Sequence, residues 1–202
     1  MKIAILGGAF DPPHLGHLIV AEQVREILKM WEVWLMPVYS HPFHKHLSST
    51  SHRLAMIRFV ESQFIKASDF EINLNTTSYT IDTLRLLQKQ RPDDEFYWCI
   101  GSDTLADFHK WKEWKKLRND FNIIVYPRGN GLKDLRKNVQ KAFKLENISE
   151  NITVLDHKGV VITNVSSTLV RERVASGSSI HYLVSDKIEK YIKDNNLYVA
   201  RL

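Results

Sequence analysis

The sequence predicts an α/β fold, a doubly wound and mostly parallel β-sheet with helices on both faces. Short apolar runs alternate along the chain with segments whose apolar residues recur every three to four positions. This alternation is typical of buried strands that alternate with amphipathic helices. Glycines stop the apolar runs at residues 2–6 and 96–100. The 202 residues, 44% of them hydrophobic, can bury a sizeable core, and we expect a single domain over 1–202 whose last part, about 164–202, is helical.

The first run, residues 2–6, is the clearest strand because it is apolar and ends at two glycines. Apolar residues at helical spacing then mark a helix over 15–29. By the same strand signal, further strands are predicted over 33–38, 69–73, 96–100, 122–126, 152–155 and 160–163. Further helices are predicted through Leu54, Ile57, Val60 and Phe64, over 80–90, around Leu105, and over 111–117, 132–143, 168–175 and 186–193. Residues 39–51, rich in His, Ser and Pro, are a predicted loop.

Composition excludes several classes of protein. No stretch approaches the roughly 18 uninterrupted apolar residues of a membrane span. The single cysteine, Cys99, cannot form an internal disulfide, which favours a reducing compartment. The apolar run near the start imitates a signal peptide, but Gly7 and Gly8 interrupt it and no cleavage site follows. We therefore expect a cytoplasmic protein.

The basic excess of the chain is local. The net charge is +5, yet the segment 110–144 alone holds 11 Lys and Arg against 3 Asp and Glu. One interpretation is a solvated outer helix face. A second is a positive field that attracts polyanionic substrates, and nucleic-acid binding is the third.

The most informative stretch follows the first strand, at residues 7–17, Gly-Gly-Ala-Phe-Asp-Pro-Pro-His-Leu-Gly-His. Glycines there allow backbone N–H groups to approach an anion, and the N-terminus of the next helix adds partial positive charge. The chain has neither Gly-x-Gly-x-x-Gly nor Gly-Lys-Ser/Thr, which disfavours dinucleotide-binding dehydrogenases and P-loop hydrolases. His14 and His17 lie on one face of the first helical turn. Three interpretations of this pair are open. The histidines could pack as structural residues, bind a metal with a third ligand from His41, His44 or His46, or donate to a phosphate chain, and we favour phosphate donation.

Two distant motifs carry a resemblance to a known superfamily. Residues 8–17 resemble the Gly-x-Phe-x-x-x-His-x-Gly-His signature of the nucleotidyltransferases, and residues 165–171, Val-Ser-Ser-Thr-Leu-Val-Arg, resemble their Ile-Ser-Ser-Thr-x-x-Arg. Residues 42–45, 52–54, 78–84 and 100–105, with Phe108 and Trp111, are similar to bacterial nicotinate-nucleotide adenylyltransferases. The chain departs from them at residues 41–43, His-Pro-Phe instead of Asn-Pro-Pro. The resemblance implies a Rossmann-like fold of the nucleotidyltransferase type and adenylyl transfer from ATP to nicotinate mononucleotide, giving deamido-NAD and pyrophosphate.

The resemblance also implies which residues handle ATP. The expected catalytic residues are His14, His17, Lys45 and Arg171. His14 is expected nearest the α-phosphoryl group and Arg171 at the β/γ end, while Lys45 either binds phosphate in the transition state or is an ordinary solvated lysine. The expected ATP-binding residues are Gly7, Gly8, Phe10, His14, His17, Ser166, Ser167, Thr168 and Arg171. Mg²⁺ is expected to bind mainly through the ATP phosphates, without dedicated protein ligands.

A second set of residues is expected to bind the mononucleotide. It comprises Lys45, Thr77, Ser78, Asp103, Trp111 and Arg128. Trp111 would stack on the pyridine ring, although Trp111, Trp114 and Leu117 also fit a stripe of core residues on one helix. Backbone N–H groups near Thr77 and Ser78 would meet the nicotinate carboxylate. Asp103 would order a hydroxyl or the loop, Arg128 would assist the mononucleotide phosphate, and Asp82 would be structural support.

The expected partners are therefore ATP and nicotinate mononucleotide, with neither nucleic acid nor membrane, and a homo-oligomer stays open. The alternatives are an enzyme for nicotinamide mononucleotide or for both substrates, and a non-catalytic nucleotide-binding regulator. An RNA-binding module would have only the basic segment 110–144 in its favour.

Overall fold

A computed structural model describes residues 1–40, 42–43, 47–129 and 134–200 of the chain. Its centre is a six-stranded sheet in the order β3-β2-β1-β4-β5-β6, and the five pairings between neighbouring strands are all parallel. The strands are β1 (Lys2–Gly8), β2 (Glu32–Pro37), β3 (Ile65–Ala67), β4 (Glu95–Gly101), β5 (Asn122–Tyr126) and β6 (Ile152–Val154). The predicted doubly wound α/β fold is confirmed.

Helices cover both faces of this sheet. They are α1 (Leu15–Leu28), α2 (Thr50–Arg58), α3 (Phe70–Leu74), α4 (Thr80–Gln90), a 3-10 helix (Ser102–Lys110), α5 (Trp114–Asp120), α6 (Leu135–Phe143), α7 (Ser167–Ala175) and α8 (Asp186–Asp194). Alternate residues of β1 belong to two different cores, because successive strand side chains point to opposite faces. Ile5 packs in one core with Leu84 of α4, and Ala4 packs in the other with Val24 of α1. β1 is therefore apolar from Ile3 to Leu6 because both of its faces are covered there.

A third core lies outside the sheet and joins the C-terminal helices to α2. It combines Met56 of α2 with Val170 of α7 and Ile188 of α8. None of the helices in the described part of the chain has the length and apolar character that crossing a bilayer requires.

Three predicted assignments are wrong, two of them strands and one the end of a helix. Residues 69–73 were expected to be a strand, but they belong largely to helix α3, because the buried side chain there is Glu71 rather than an alternating apolar set. The helix expected to continue through Val60 and Phe64 ends at Arg58, and the edge strand β3 follows at Ile65–Ala67. Residues 160–163 form no strand, and the Val161 N–H donates to the side chain of Gln23 on α1.

The prediction that Trp111 and Trp114 lie on one helix is also wrong. Trp111 follows the 3-10 helix, and α5 begins at Trp114. Between them, Glu113 has a φ of 48°, in the left-handed region, which separates the two helices. Both indoles are partly buried against the same core, whereas Leu117 is fully buried in it.

Some charges of the basic segment 110–144 are paired. Lys112 lies 2.7 Å from a carboxylate oxygen of Asp82, and Lys116 lies 2.9 Å from Glu113. The Asp82 pair fits the supporting role expected for that residue. These pairs favour the interpretation of this surface as a solvated helix face.

Candidate active site

The candidate site lies where the sheet order reverses. β1 sits between β2 and β4, and the chain leaves β1 through α1 on one face and reaches β4 from α4 on the other. In open parallel sheets, ligands bind beside the carboxyl ends of the strands at this switch point. The motif that follows β1 is thus at the place where such folds bind ligands.

His14 and His17 form a stacked pair at the start of α1. His14 is the N-cap, and its backbone N–H donates to Nδ1 of His17 at 3.2 Å. The ring centroids lie 3.7 Å apart, and the ring of Phe10 packs against His17 at 4.7 Å. Gly16 is required here, because a Cβ on it would lie 2.9 Å from Nδ1 of His14. Since Nδ1 of His17 accepts a hydrogen bond, the neutral ring carries its proton on Nε2, where it is a donor.

Burial keeps both imidazoles uncharged. His14 is 3% exposed, and burial lowers its pKa to about 3, with a further contribution from the charge of Arg128. Burial also lowers the pKa of His17 well below its usual value, followed by the effects of His14 and Arg128. At neutral pH the pair therefore offers neutral N–H donors rather than positive charge.

Arg128 brings a cation to the same cleft. His14, His17, Arg128 and Val165 all line it. One terminal nitrogen of Arg128 donates to the Val165 carbonyl at 3.3 Å, and the other lies 3.4 Å from a carboxylate oxygen of Asp103. Of the sequence-predicted residues, Arg128 thus lines the cleft with the histidine pair, and Asp103 lies beside Arg128.

The second motif docks directly on the turn that follows β1. Ser166 caps α7 by accepting from the Leu169 N–H at 3.1 Å. The Ser167 hydroxyl donates to the Pro12 carbonyl at 2.8 Å, and Nη1 of Arg171 donates to the Asp11 carbonyl at 2.7 Å.

Nη2 of Arg171 also donates to Oγ1 of Thr168, at 3.2 Å. Arg171 therefore faces the histidine-bearing turn, and the structure brings together the two halves that the sequence places about 150 residues apart.

The expected pyridine-binding residues lie apart from this cleft. Thr77 pairs with Ser40, in the segment that follows β2. The Ser78 N–H donates to the Ser40 carbonyl at 3.1 Å, so binding a carboxylate through that N–H would require this bond to break. Trp111 is half-buried against Phe108, with a centroid distance of 5.2 Å. Neither Thr77, Ser78 nor Trp111 lines the cleft that holds the histidines.

The catalytic assignment of Lys45 lies outside the described residues. The same holds for the candidate metal ligands His41, His44 and His46.

Two buried residues outside the motif at 7–17, Arg53 and Glu71, received no role from the sequence. Arg53, 1% exposed, donates to the carbonyls of Ala9 at 3.0 Å, Val38 at 2.7 Å and Ser48 at 3.0 Å. Glu71, 2% exposed, accepts from the hydroxyl of Thr83 at 2.7 Å. Burial lowers the pKa of Arg53 and raises that of Glu71. Only the presence of Arg53 in a family-like motif at 52–54 could have pointed to it, since its carbonyl partners have no sequence signature.

The chain is similar over most of its length to known proteins. A family model described as cytidylyltransferase-like matches residues 5–173. A probable nicotinate-nucleotide adenylyltransferase of Exiguobacterium sibiricum is 35% identical, covering 99% of this chain and 100% of the relative. One of Shewanella frigidimarina is also 35% identical, covering 98% and 100%.

Solved structures share the fold. The Plasmodium falciparum nicotinic acid mononucleotide adenylyltransferase complexed with NaAD has a TM-score of 0.78 at 23% identity, over 98% of this chain and 97% of that chain. The same enzyme complexed with APC has a TM-score of 0.75 at 22% identity, over 98% and 96%.

Proposed function

Since the chain belongs to the cytidylyltransferase-like family and, within it, to the nicotinate-nucleotide adenylyltransferases, we propose that it transfers the adenylyl group of ATP to nicotinate mononucleotide. The products are deamido-NAD and pyrophosphate. The observation that carries the proposal is the junction of the two motifs, in which Arg171 and Ser167 bond to the turn that leads to His14. This junction gathers imidazole, guanidinium and helix N-terminal donors at one end of the sheet.

The chemistry needs alignment and charge neutralisation more than proton transfer. An oxygen of the mononucleotide phosphate attacks the α-phosphorus of ATP and forms a new P–O bond. The bond from that phosphorus to the α,β-bridging oxygen breaks, and its electron pair leaves with pyrophosphate. The attacking phosphate monoester has a second pKa of about 6 and is mostly ionised at pH 7, so no general base is required. The barrier is the approach of two anions.

The residues of the cleft are suited to that barrier. Neutral His14 and His17 donate N–H groups to the phosphates, and the N-termini of α1 and α7 add further donors. Arg171 provides charge at the β/γ end. Arg128 lines the cleft with the histidine pair and donates to the Val165 carbonyl, which supports a phosphate-binding role in this cleft. Its assignment to the mononucleotide phosphate stays a prediction, as does the role of Lys45.

The lining of the cleft does not fit a magnesium ion held by the protein. Its described residues include imidazoles and a guanidinium but no carboxylate, and carboxylate oxygens are the side-chain ligands that Mg²⁺ prefers. A cluster that could ligate a metal, His181, Asp186 and Glu189, contributes no residue to this lining. A magnesium ion would therefore enter with the phosphates of ATP.

We assign recognition of the pyridine ring to the segments that follow β2 and β4. Thr77 is tied to the segment after β2, and Trp111 follows the 3-10 helix after β4. In a parallel sheet the carboxyl ends of β2 and β4 meet at the same edge as that of β1. A pocket that offers only N–H donors there would accept a carboxylate and leave an amide NH₂ facing donors, which favours the nicotinate form.

Pyrophosphate release tests the proposal. ATP is mixed with nicotinate mononucleotide or nicotinamide mononucleotide, and release is expected with the nicotinate form. Release with nicotinamide mononucleotide alone would show that the amide is the substrate. Release with neither mononucleotide would contradict the proposed activity and favour a nucleotide-binding regulator.

Replacing His14 identifies where the reaction takes place. For His14→Ala we expect kcat to fall by about 10²–10⁴, as when a key oxyanion donor is removed. His157→Ala, which removes an exposed histidine outside the cleft, is the control and should keep normal turnover. Near-normal turnover of His14→Ala would mean that the reaction takes place elsewhere.

A further inference from the structure

The buried carboxylate of Asp11 joins three distant parts of the chain. Asp11 is 3% exposed and lies in the turn between β1 and α1. Oδ1 accepts from the Tyr198 hydroxyl at 2.6 Å, and Oδ2 accepts from the Ser48 N–H at 3.0 Å. Its main-chain carbonyl accepts from Arg171 at 2.7 Å. One residue thus receives the C-terminal tail, the segment before α2 and the arginine of the second motif.

Arg53 holds the same region from the other side. It donates to the Ser48 carbonyl, while Asp11 accepts from the Ser48 N–H, so both polar main-chain groups of Ser48 are fixed. Arg53 also donates to the Ala9 carbonyl, two residues before Asp11. The negative charge of Asp11 raises the pKa of Arg53 against the larger effect of burial. The carbonyls of Ala9, Asp11 and Pro12 in this turn all accept hydrogen bonds. A displacement of the Asp11 side chain would therefore also disturb the hydrogen bonds of its main chain.

Tyr198 reaches Asp11 from beyond the last helix. Its backbone has a φ of 63°, in the left-handed region that residues other than glycine rarely adopt. Its side chain packs on the core that joins α2, α7 and α8. Burial and the neighbouring carboxylate raise the pKa of the hydroxyl, which therefore stays protonated and acts as a donor. The strained backbone is held because the ring and the hydroxyl both have partners.

We propose that Asp11 is a positioning residue for ATP and that Tyr198, in the C-terminal tail, completes its action. The Tyr198 hydroxyl fixes the carboxylate of Asp11, and the fixed Asp11 presents the carbonyl that orients Arg171. This inference rests on the proposed function, because it assigns Arg171 to the triphosphate. It predicts that a change at Tyr198 weakens the binding of ATP and leaves the binding of the mononucleotide unchanged.

The test is Tyr198→Phe, which removes the hydroxyl and keeps the packing of the ring. A displacement of 1 Å can cost about 10²-fold, and we expect a smaller loss of about tenfold in ATP affinity, seen as a higher KM for ATP and a higher Kd for a non-hydrolysable ATP analogue. The KM for nicotinate mononucleotide should stay at its wild-type value. Tyr97→Phe is the matched control, because its hydroxyl also donates to a carboxylate, that of Glu95, at 2.9 Å, on a strand end away from the switch point.

The two readouts separate the possible failures. If ATP handling by Tyr198→Phe equals that of Tyr97→Phe, the positioning role is overturned. An equal rise of both KM values with a lower melting temperature would also overturn it, because that pattern means general loosening. Direct binding of the ATP analogue needs no acceptor, so it tests the inference even if wild-type protein turns over no pyridine mononucleotide.

Discussion

Replacing the buried histidine of the cleft should make the protein less sensitive to mild acid. Because burial lowers the pKa of folded His14 to about 3, its imidazole stays neutral in the folded state at pH 5.5. In the unfolded chain an ordinary histidine has a pKa of about 6.5 and takes up a proton there. Below that value the unfolded state binds more protons, so His14 lowers the free energy of unfolding as the pH falls.

The size of the effect follows from these two pKa values. Between pH 7.5 and pH 5.5, the unfolded histidine gains about 1.4 kcal/mol from protonation and the folded one gains almost nothing. Any folded pKa below about 4.5 gives nearly the same result, because the folded ring then stays neutral over the whole range. Solvent screening does not reduce it much, since His14 is 3% exposed. His14 does not reduce the free energy of unfolding well above pH 6.5. Its destabilising effect grows as the pH falls from there to about pH 3.

The assay is urea unfolding of the wild type and of His14→Gln at both pH values. Glutamine does not titrate, so the loss of stability on acidification should be smaller in the variant by about 1.4 kcal/mol. All other titrating groups are shared by the two proteins. His157→Gln is the control for replacing an exposed histidine. An identical loss in the wild type and in His14→Gln would show that the folded imidazole protonates freely, and the neutral donor assigned to His14 would have to be abandoned.

Two further replacements test the pyridine site and the strand that leads to the histidines. Trp111→Ala should raise the KM for the mononucleotide and leave the KM for ATP unchanged. The control Trp31→Ala, which replaces a tryptophan that is 63% exposed, should raise neither KM. Equal rises of both KM values in Trp111→Ala would mean that Trp111 only packs. Gly7→Ala should lower the free energy of unfolding in urea by about 1–3 kcal/mol, because its Cβ would lie 2.3 Å from Cζ2 of Trp98. In Gly8→Ala the nearest side-chain atom is 3.5 Å from the new Cβ, so comparable losses in the two variants would contradict the packing argument.

The centre of the fold could be predicted because its strands are buried on both faces. β1 and β5 are continuous apolar runs, and this pattern has few alternatives when glycine or polar residues bound it. The edge strand β3 could not be found, because three residues, Ile65–Ala67, are too short for any periodic signal. Helix α3 was mistaken for a strand because its alternation of polar and apolar residues hides the fact that the buried side chain is Glu71.

The candidate site could be predicted where its chemistry is local in sequence. His14 and His17 lie one helical turn apart, and Ser166 to Arg171 form one capped helix start, so their residue types and spacing are informative. Arg53 and Tyr198 could not be given a role in the same way. Arg53 bonds to a carbonyl 44 residues away, and Tyr198 bonds to a carboxylate 187 residues away. Such partners are main-chain or distant groups that only the fold brings together.

The hydrogen-bond partners of Arg171 and Arg128 leave the charge of both side chains available to a polyanion. Arg171 is oriented by a carbonyl and a hydroxyl, and within the described residues it makes no ion pair. Carbonyl dipoles fix a guanidinium without cancelling its charge, whereas a carboxylate partner would compete with phosphate for it. Arg128 follows the same pattern with the Val165 carbonyl, and the Asp103 carboxylate near it is half-exposed, where pairing is weak. With His14 neutral, the positive charge beside the histidine pair is carried by the guanidinium of Arg128. Under the proposed function, the remaining N–H donors of Arg128 and Arg171 bind the phosphates of the substrates.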